Sequence, residues 1–373
     1  MRLYNSISIL AAIGLMAILV SCSTCSFSEE EAENQICIDE NIQNTLDTLL
    51  VERMAELNVP AAWGAVMEVS TGNLVALSSW ENYQDSACPK NNPMFLDLRD
   101  PGSVFQVVSY AALLESGKIT PDSQVDTGNT MDHPTSFNFH GKEVRDDHPV
   151  GIVSADEAIV QSSNIAIVKM VSEAYENDPK EYMDAIASLG WYDTPLWVYE
   201  GDSLRQPRVR EVHDMIWSKV SLGQISYGYE MAATPMHLLM FFNSIANDGV
   251  RPGVGRICSE ETAKQVKMAL EHVVERGTAC TIWSGDGTIL REGAKSQMVS
   301  IAGKTGTAQI YANGTYSGNG HYVTFVGYFP ADNPQYSCLV SLKAVPGGNF
   351  GRPGGGYMAG PVVRDLAEAI LCQ

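Results

Sequence analysis

Three short stretches of this sequence hold residue types that can move an acyl group. The first is Arg99-Asp-Pro-Gly-Ser-Val-Phe-Gln106, where a turn runs into an apolar, helix-like segment. Ser103 and Gln106 are spaced to share one helix face. The second is Ser162-Ser-Asn164, between two helix-like runs. The third is Lys304-Thr-Gly-Thr307, in a strand-like run near the C-terminus. Serine–lysine acyl transfer uses three such pieces in this order. A serine nucleophile starts a helix, a Ser-x-Asn turn offers a hydroxyl and an amide, and a Lys-Thr-Gly strand forms the opposite wall. Each piece alone is weak. Ser103 could cap its helix, Ser162 and Asn164 could form a turn, and Lys304 could be a solvated strand lysine. Their order and joint occurrence carry the reading.

Bringing these pieces together takes a mixed fold. Asn41–Leu57 places Ile42, Leu46, Leu49, Leu50, Met54 and Leu57 at helical spacing. Trp63–Val69 and Leu74–Ser78, joined by Ser70-Thr-Gly-Asn73, predict a hairpin. Ser103–Ser116 predicts a helix closed by Gly117. Ser154-Ala-Asp-Glu157 is a capping-box pattern, and Thr234-Pro235 starts a helix that Gly249 ends. Ser259–Arg276 and Pro361–Leu371 are further helices. Met298–Tyr311, His321–Phe329 and Tyr336–Ala344 are β-like with turn-rich links, which favours an antiparallel meander. The pattern is α+β. It predicts an antiparallel sheet that takes strands from both ends of the chain and is covered by helices, with an all-helical subregion.

The chain has 373 residues, is 45% hydrophobic and 18% charged, and should bury a full core. Acidic residues outnumber basic ones 44 to 24, for a net charge of −20. This excess argues against a nucleic acid or an anionic membrane surface held by charge. Arg2 precedes an apolar run, Ile7–Val20, of about fourteen residues, short of the about 20 that a spanning helix needs. It suits a secretory signal. The run ends in Leu19-Val-Ser-Cys22, which resembles a bacterial lipobox with Cys22 as the lipidated residue. An uncleaved anchor is the alternative, and either places the rest of the chain outside the cytoplasm. Residues 1–21 thus read as signal, 22–35 as a polar, acidic tether, and 36–373 as one domain. The wide cysteine spacing suggests no disulfide framework. His133, His140 and His148 read as solvated loop histidines, so no metal site is expected.

From about Ile36 onward the chain resembles the transpeptidase domain of class B penicillin-binding proteins, especially the septal cell-division type. Asp100-Pro-Gly-Ser103 resembles that family's Glu-Pro-Gly-Ser, and Ser162-Ser-Asn-Ile-Ala-Ile-Val-Lys169 its second motif. Ser226-Tyr-Gly-Tyr-Glu230 with Thr234-Pro235, Ala246-Asn-Asp-Gly249, Gly277-Thr-Ala279 and Ala302-Gly-Lys-Thr-Gly-Thr-Ala308 are similar to further signatures. The resemblance implies the penicillin-binding and serine-β-lactamase-like transpeptidase fold, and it implies no cofactor. It implies attack by Ser103 on the D-Ala-D-Ala carbonyl of a peptidoglycan stem peptide, or on a β-lactam. The N–H groups of Ser103 and Thr307 would form the oxyanion hole. Lys304, Thr305 and Thr307, with Gly306 between them, would bind the terminal carboxylate. Ser162 would relay a proton to the leaving group, and Asn164 would bond the substrate amide. Cell-wall synthesis or division proteins are the implied protein partners.

Two departures stand out. The domain begins shortly after Cys22, so the family's N-terminal pedestal domain and membrane helix are expected to be missing, with a lipid tether in their place. More important, Gln106 stands where the family has the lysine of Ser-x-x-Lys. An amide hydrogen-bonds but is not basic at neutral pH, and general base catalysis contributes typically about 10²–10⁴. Acylation should be severely slowed unless Lys304 or Lys169 substitutes, and Lys304 is the better placed across the cleft. Two readings follow. One is a D,D-transpeptidase or carboxypeptidase that also binds β-lactams. The other is a pseudo-transpeptidase that holds stem peptide, β-lactam or a partner protein without turnover.

Overall fold

Strands from opposite ends of the chain build one sheet. The computed structural model describes residues 36–83, 86–89, 92–283, 288–312, 314–316 and 318–372. The segments expected to be the signal, the lipobox with Cys22 and the tether lie outside these residues. β1 (Ala61–Glu68), β2 (Leu74–Tyr83) and β3 (Ser86–Pro89) come first. β4 (Ala302–Gln309), β5 (His321–Phe329) and β6 (Tyr336–Ala344) come last. The order across the sheet is β4-β5-β6-β1-β2-β3, with every neighbouring pair antiparallel. β4 is therefore an edge strand.

The main helices are α1 (Glu40–Leu57), α2 (Gln106–Glu115), α3 (Ala155–Val160), α4 (Asn164–Tyr175), α5 (Pro179–Ser188), α6 (Pro235–Ala246), α7 (Glu260–Glu275) and α8 (Gly360–Leu371). Strand alternation decides which of them share a face of the sheet. Gly64 pairs with Val340, and a Cβ on Gly64 would lie 3.3 Å from Leu46 of α1. That face carries α1, whose Arg53 donates to Met358 O at 3.0 Å and ties it to the turn before α8. Ser337 has the opposite parity, and its hydroxyl donates to Asn243 of α6 at 2.6 Å. All twelve residues of α6 are buried, as expected of a helix that is apolar on nearly every side. The fold is α+β, with the antiparallel sheet covered by helices, as the sequence pattern predicts.

Local signals explain most boundaries. Asp39 caps α1 by accepting from Asn41 N and Ile42 N, and Asn58 ends it in the left-handed region. Ser154 accepts from Glu157 N at 3.1 Å, but the box is half-made, because the Glu157 carboxylate turns to Gln161 and Arg276 instead. Three differences from the sequence reading have physical causes. The helix expected from Ser103 opens as a tight 3-10 turn, Gly102–Phe105, before α2 begins at Gln106. The strand expected from Met298 begins only at Ala302, because the Ser296 hydroxyl accepts from Met298 N and Val299 N and holds a turn there. Helix α5 was not anticipated, although Asp178 caps it and Pro179 opens it.

Candidate active site

Close backbone packing presses the Ser103 turn against β4. Gly102 adopts φ +61, and a Cβ on it would lie 3.1 Å from the Ala308 Cβ. At Gly306 a Cβ would meet Val104 Cγ2 at 2.6 Å, so only glycine lets the strand and the turn approach this closely. On the other side Gly102 N donates to Gly228 O at 3.1 Å. Ser103 is half-buried at this junction, and its hydroxyl has no hydrogen-bond partner among the described residues.

One turn further along, Gln106 is 0% exposed and its carboxamide is engaged at both ends. Nε2 donates to Asn164 Oδ1 at 2.8 Å and reaches Ser162 O at 3.4 Å, while Oε1 accepts from Ser162 Oγ at 3.1 Å. Burying an amide without partners costs about 1–3 kcal/mol in proteins, and this one is satisfied. Ser162 and Asn164 come from the α3–α4 junction. Ser162 sits in the left-handed region at φ +56, which an ordinary residue adopts only when its surroundings force it. Ser163 caps α4 through Ala166 N, and Asp146 accepts from both Ser163 Oγ and Ile165 N, fixing the junction. Asn164 Nδ2 donates to Arg145 O at 3.0 Å.

Lys304 completes the set from β4. It pairs with Val326, which pairs with Leu339, so it shares the face of Ser337 that α6 covers. It is 0% exposed, and Nζ donates to Ser162 Oγ at 2.7 Å and to Thr305 O at 3.0 Å. Burial pulls its pKa down to about 7, opposed by the nearby Asp147 carboxylate. Thr305 and Thr307 alternate to the other side of the strand, and the Thr305 hydroxyl lies 2.8 Å from that of Thr278. The structure thus joins Gln106, Ser162, Asn164 and Lys304 in one hydrogen-bonded set and places Ser103 one helical turn away. A cleft of about 1090 Å³ opens beside Asn164 and Gln309, walled by Tyr229, Tyr316 and the Arg205, Arg208 and Arg210 row.

Residues 63–368 match the penicillin binding protein transpeptidase domain. The chain belongs to this family. It is 25% identical to the probable peptidoglycan D,D-transpeptidase PenA of Neisseria flavescens, over 90% of this chain and 81% of that protein. It is 26% identical to the probable peptidoglycan D,D-transpeptidase FtsI of Caulobacter vibrioides, over 90% of this chain and 58% of that protein. Penicillin-binding protein PbpB of Mycolicibacterium smegmatis is 25% identical, with 54% of its length covered. The chain therefore spans little more than half of these last two relatives. Among solved structures, the apo transpeptidase domain of Burkholderia pseudomallei penicillin-binding protein 3 superposes with a TM-score of 0.74 at 25% identity, covering 90% of this chain and 95% of that one. The Mycobacterium tuberculosis penicillin-binding protein 3 complexed with aztreonam shares the fold, with a TM-score of 0.72 at 23% identity over 90% of this chain and 78% of that one.

In this penicillin-binding transpeptidase fold, Lys169 is held away from the set formed by Gln106, Ser162, Asn164 and Lys304. It lies five residues after Asn164, about 140° around the helix. Its amine donates to Asp126 O at 2.7 Å and sits 4.9 Å from the Phe137 ring centre. Two residues near the site carried no readable signal. Asp147, the charge that acts on Lys304, lies in an aperiodic loop and pairs with Arg352 from the far side. Tyr316, in the β4–β5 link, donates to Asp100 Oδ2 at 2.7 Å and ties that link to the Ser103 turn. Burial raises the Asp100 carboxyl above its ordinary value. His140 and His148 engage Glu176 and Gln161.

Proposed function

We propose that the protein binds peptidoglycan stem peptides ending in D-Ala-D-Ala, and β-lactams, through a serine-type D,D-transpeptidase site in which Ser103 is acylated slowly. The observation that carries this reading is Gln106. Fully buried and bonded to both Ser162 and Asn164, it occupies the place of the family's base lysine without supplying a base. In the reaction Ser103 attacks the penultimate carbonyl, and the N–H groups of Ser103 and Thr307 receive the oxyanion. Each such donor is typically worth about 10²–10³ in rate. Lys304, Thr305, Gly306 and Thr307 hold the terminal carboxylate, and Asn164 bonds the substrate amide. The free edge of β4 accepts the extended peptide as an added strand. Names of relatives such as PenA and FtsI support a place in cell-wall synthesis and division.

The same reading makes the chain an exported lipoprotein. Residues 1–21 are the signal, Cys22 carries the lipid, and residues 22–35 tether the domain on the periplasmic side. No helix among the described residues is long and apolar enough to cross a membrane. Loss of lipid labelling in Cys22→Ser tests the anchor.

A second reading, a pseudo-transpeptidase that binds without turnover, is favoured by the unpartnered Ser103 hydroxyl. Fluorescent penicillin labelling of the wild type, Ser103→Ala and Gln106→Lys separates the two. Slow covalent labelling of the wild type that Ser103→Ala abolishes supports the first. Labelling seen only with Gln106→Lys supports the second.

A further inference from the structure

We propose that Lys304, acting through the Ser162 hydroxyl, accepts the Ser103 proton in this chain, making Ser103, Ser162 and Lys304 a serine–serine–lysine relay. The proposal rests on the reading that Ser103 is acylated, and it names the base for that step.

Three observations carry it. First, Lys304 is the amine bonded into the network around Ser103, whereas Lys169 is held by Asp126 O on another side of α4. Second, the environment of Lys304 permits a neutral amine. Gln106 of α2 and Ser162 and Asn164 at the α4 start face the site uncharged. The charge that acts on Lys304 is Asp147, which pairs with Arg352 from the segment ahead of α8. Asp146 is turned to Ser163 and Ile165 N, and among the described residues the Lys304 amine donates to Ser162 Oγ and Thr305 O rather than to a carboxylate. Burial outweighs the Asp147 charge and brings the amine down to about 7, so a sizeable neutral fraction exists at neutral pH. Third, Gln106 offers what a lysine there cannot, an acceptor oxygen. It holds the Ser162 proton in the resting arrangement and leaves the Ser162 lone pairs to Lys304. When Lys304 is neutral the Ser162 hydroxyl can rotate toward Nζ, turning its own lone pairs toward the Ser103 side. The left-handed backbone at Ser162 keeps that hydroxyl between the two walls.

The step balances. The Ser103 proton passes to Ser162 Oγ, directly or through one water, as the Ser162 proton passes to Lys304 Nζ. The Ser103 oxygen forms the bond to the carbonyl carbon. The carbon–nitrogen bond then breaks, and the leaving amine takes its proton back from Lys304 along the same path. Distances in a ligand-free site tighten when substrate binds.

The test is the second-order rate of fluorescent penicillin labelling from pH 5.5 to 9 for the wild type, Ser162→Gly and Lys304→Met, each checked by thermal melting. Ser162→Gly removes the hydroxyl with its small CH2 stem and suits the positive φ, so it guards against misfolding. The expected wild-type rate rises with pH through one ionisation near 7. Both variants should lose that step and fall by about 10²–10⁴. An unchanged rate and pH profile in Ser162→Gly overturns the relay and leaves the proposed function standing. A wild type that never labels but binds a D-Ala-D-Ala peptide also overturns the relay, and points to the pseudo-transpeptidase. A wild type that neither labels nor binds overturns the proposed function itself.

Discussion

Lys304 and Gln106 share one atom: Ser162 Oγ lies 2.7 Å from the lysine amine and 3.1 Å from the glutamine amide oxygen. The only basic member of this hydrogen-bonded set thus stands on the strand side of the cleft, and an acceptor stands on the helix side. In a Ser-x-x-Lys site the helix side would carry an amine as well. Glutamine at 106 therefore leaves Lys304 as the basic group of the set while keeping the Ser162 hydroxyl anchored on both walls.

Gln106→Lys should raise the labelling rate by about 10²–10⁴. The pocket is ready for an ammonium, because Asn164 Oδ1 and Ser162 O already accept from the Gln106 amide nitrogen at 2.8 and 3.4 Å. Single-exponential labelling of the variant and wild type at pH 7.5 checks this. Equal rates would mean that position 106 does not limit acylation.

Lys304 should destabilise the fold below about pH 7, and Lys304→Met should expose that cost. The folded amine titrates near 7, whereas an unfolded lysine titrates near 10.4. Between these values the unfolded state binds more protons, so wild-type stability rises with pH across that window. The slope is about 1.4 kcal/mol per pH unit. The methionine variant lacks this slope. It should melt higher relative to wild type at pH 6 than at pH 10, even though the lost bonds to Ser162 Oγ and Thr305 O offset part of the gain. A melting difference that does not change with pH would show that the amine stays charged in the fold.

Asp147→Asn should move the labelling profile to lower pH. The carboxylate favours the charged form of Lys304, so its removal lowers the amine pKa further. Acylation would then reach its plateau earlier, and the wild-type and variant rates would converge above pH 8. A shift to higher pH would mean that Asp147 acts on another group. Its surface pairing with Arg352 is worth little by itself, so the melting temperature should barely move.

How much of this was legible follows from how each signal is encoded. Ser162, Asn164 and Lys304 were readable because short motifs fix residue type and local turn together. The strands from both ends of the chain were readable as apolar runs bounded by turn residues, because the sheet is buried on both faces. The bond from Gln106 to Asn164 was not, since it joins helices that meet only through packing. Asp147 was not, because its loop has no period. Lys169 was readable as a lysine after the motif, but its direction depended on a helical rotation that the motif does not state. The 3-10 opening at Gly102 depended on contact with Ala308, a residue far along the chain.

Gly228→Ala should disable Ser103 without touching any residue of the hydrogen-bonded set. Gly228 has φ +85, and a Cβ there would lie 2.2 Å from Gly102 O and 2.7 Å from Gly102 N. Both are backbone atoms, so no side chain can swing aside. The positive φ adds strain of order 1–3 kcal/mol, and the Gly102 N to Gly228 O bond is lost as well. The turn has no room to retreat, because a Cβ on Gly102 would already lie 3.1 Å from the Ala308 Cβ on β4. Ser103 must therefore shift along the cleft, and a misplacement of about 1 Å can cost about 10²-fold in rate. The measurement is labelling of Gly228→Ala in the Gln106→Lys background, where the starting rate is fast, together with a thermal melt. We expect a melting temperature several degrees lower and labelling reduced at least about tenfold. Unchanged labelling would show that the Gly102–Gly228 contact does not position Ser103.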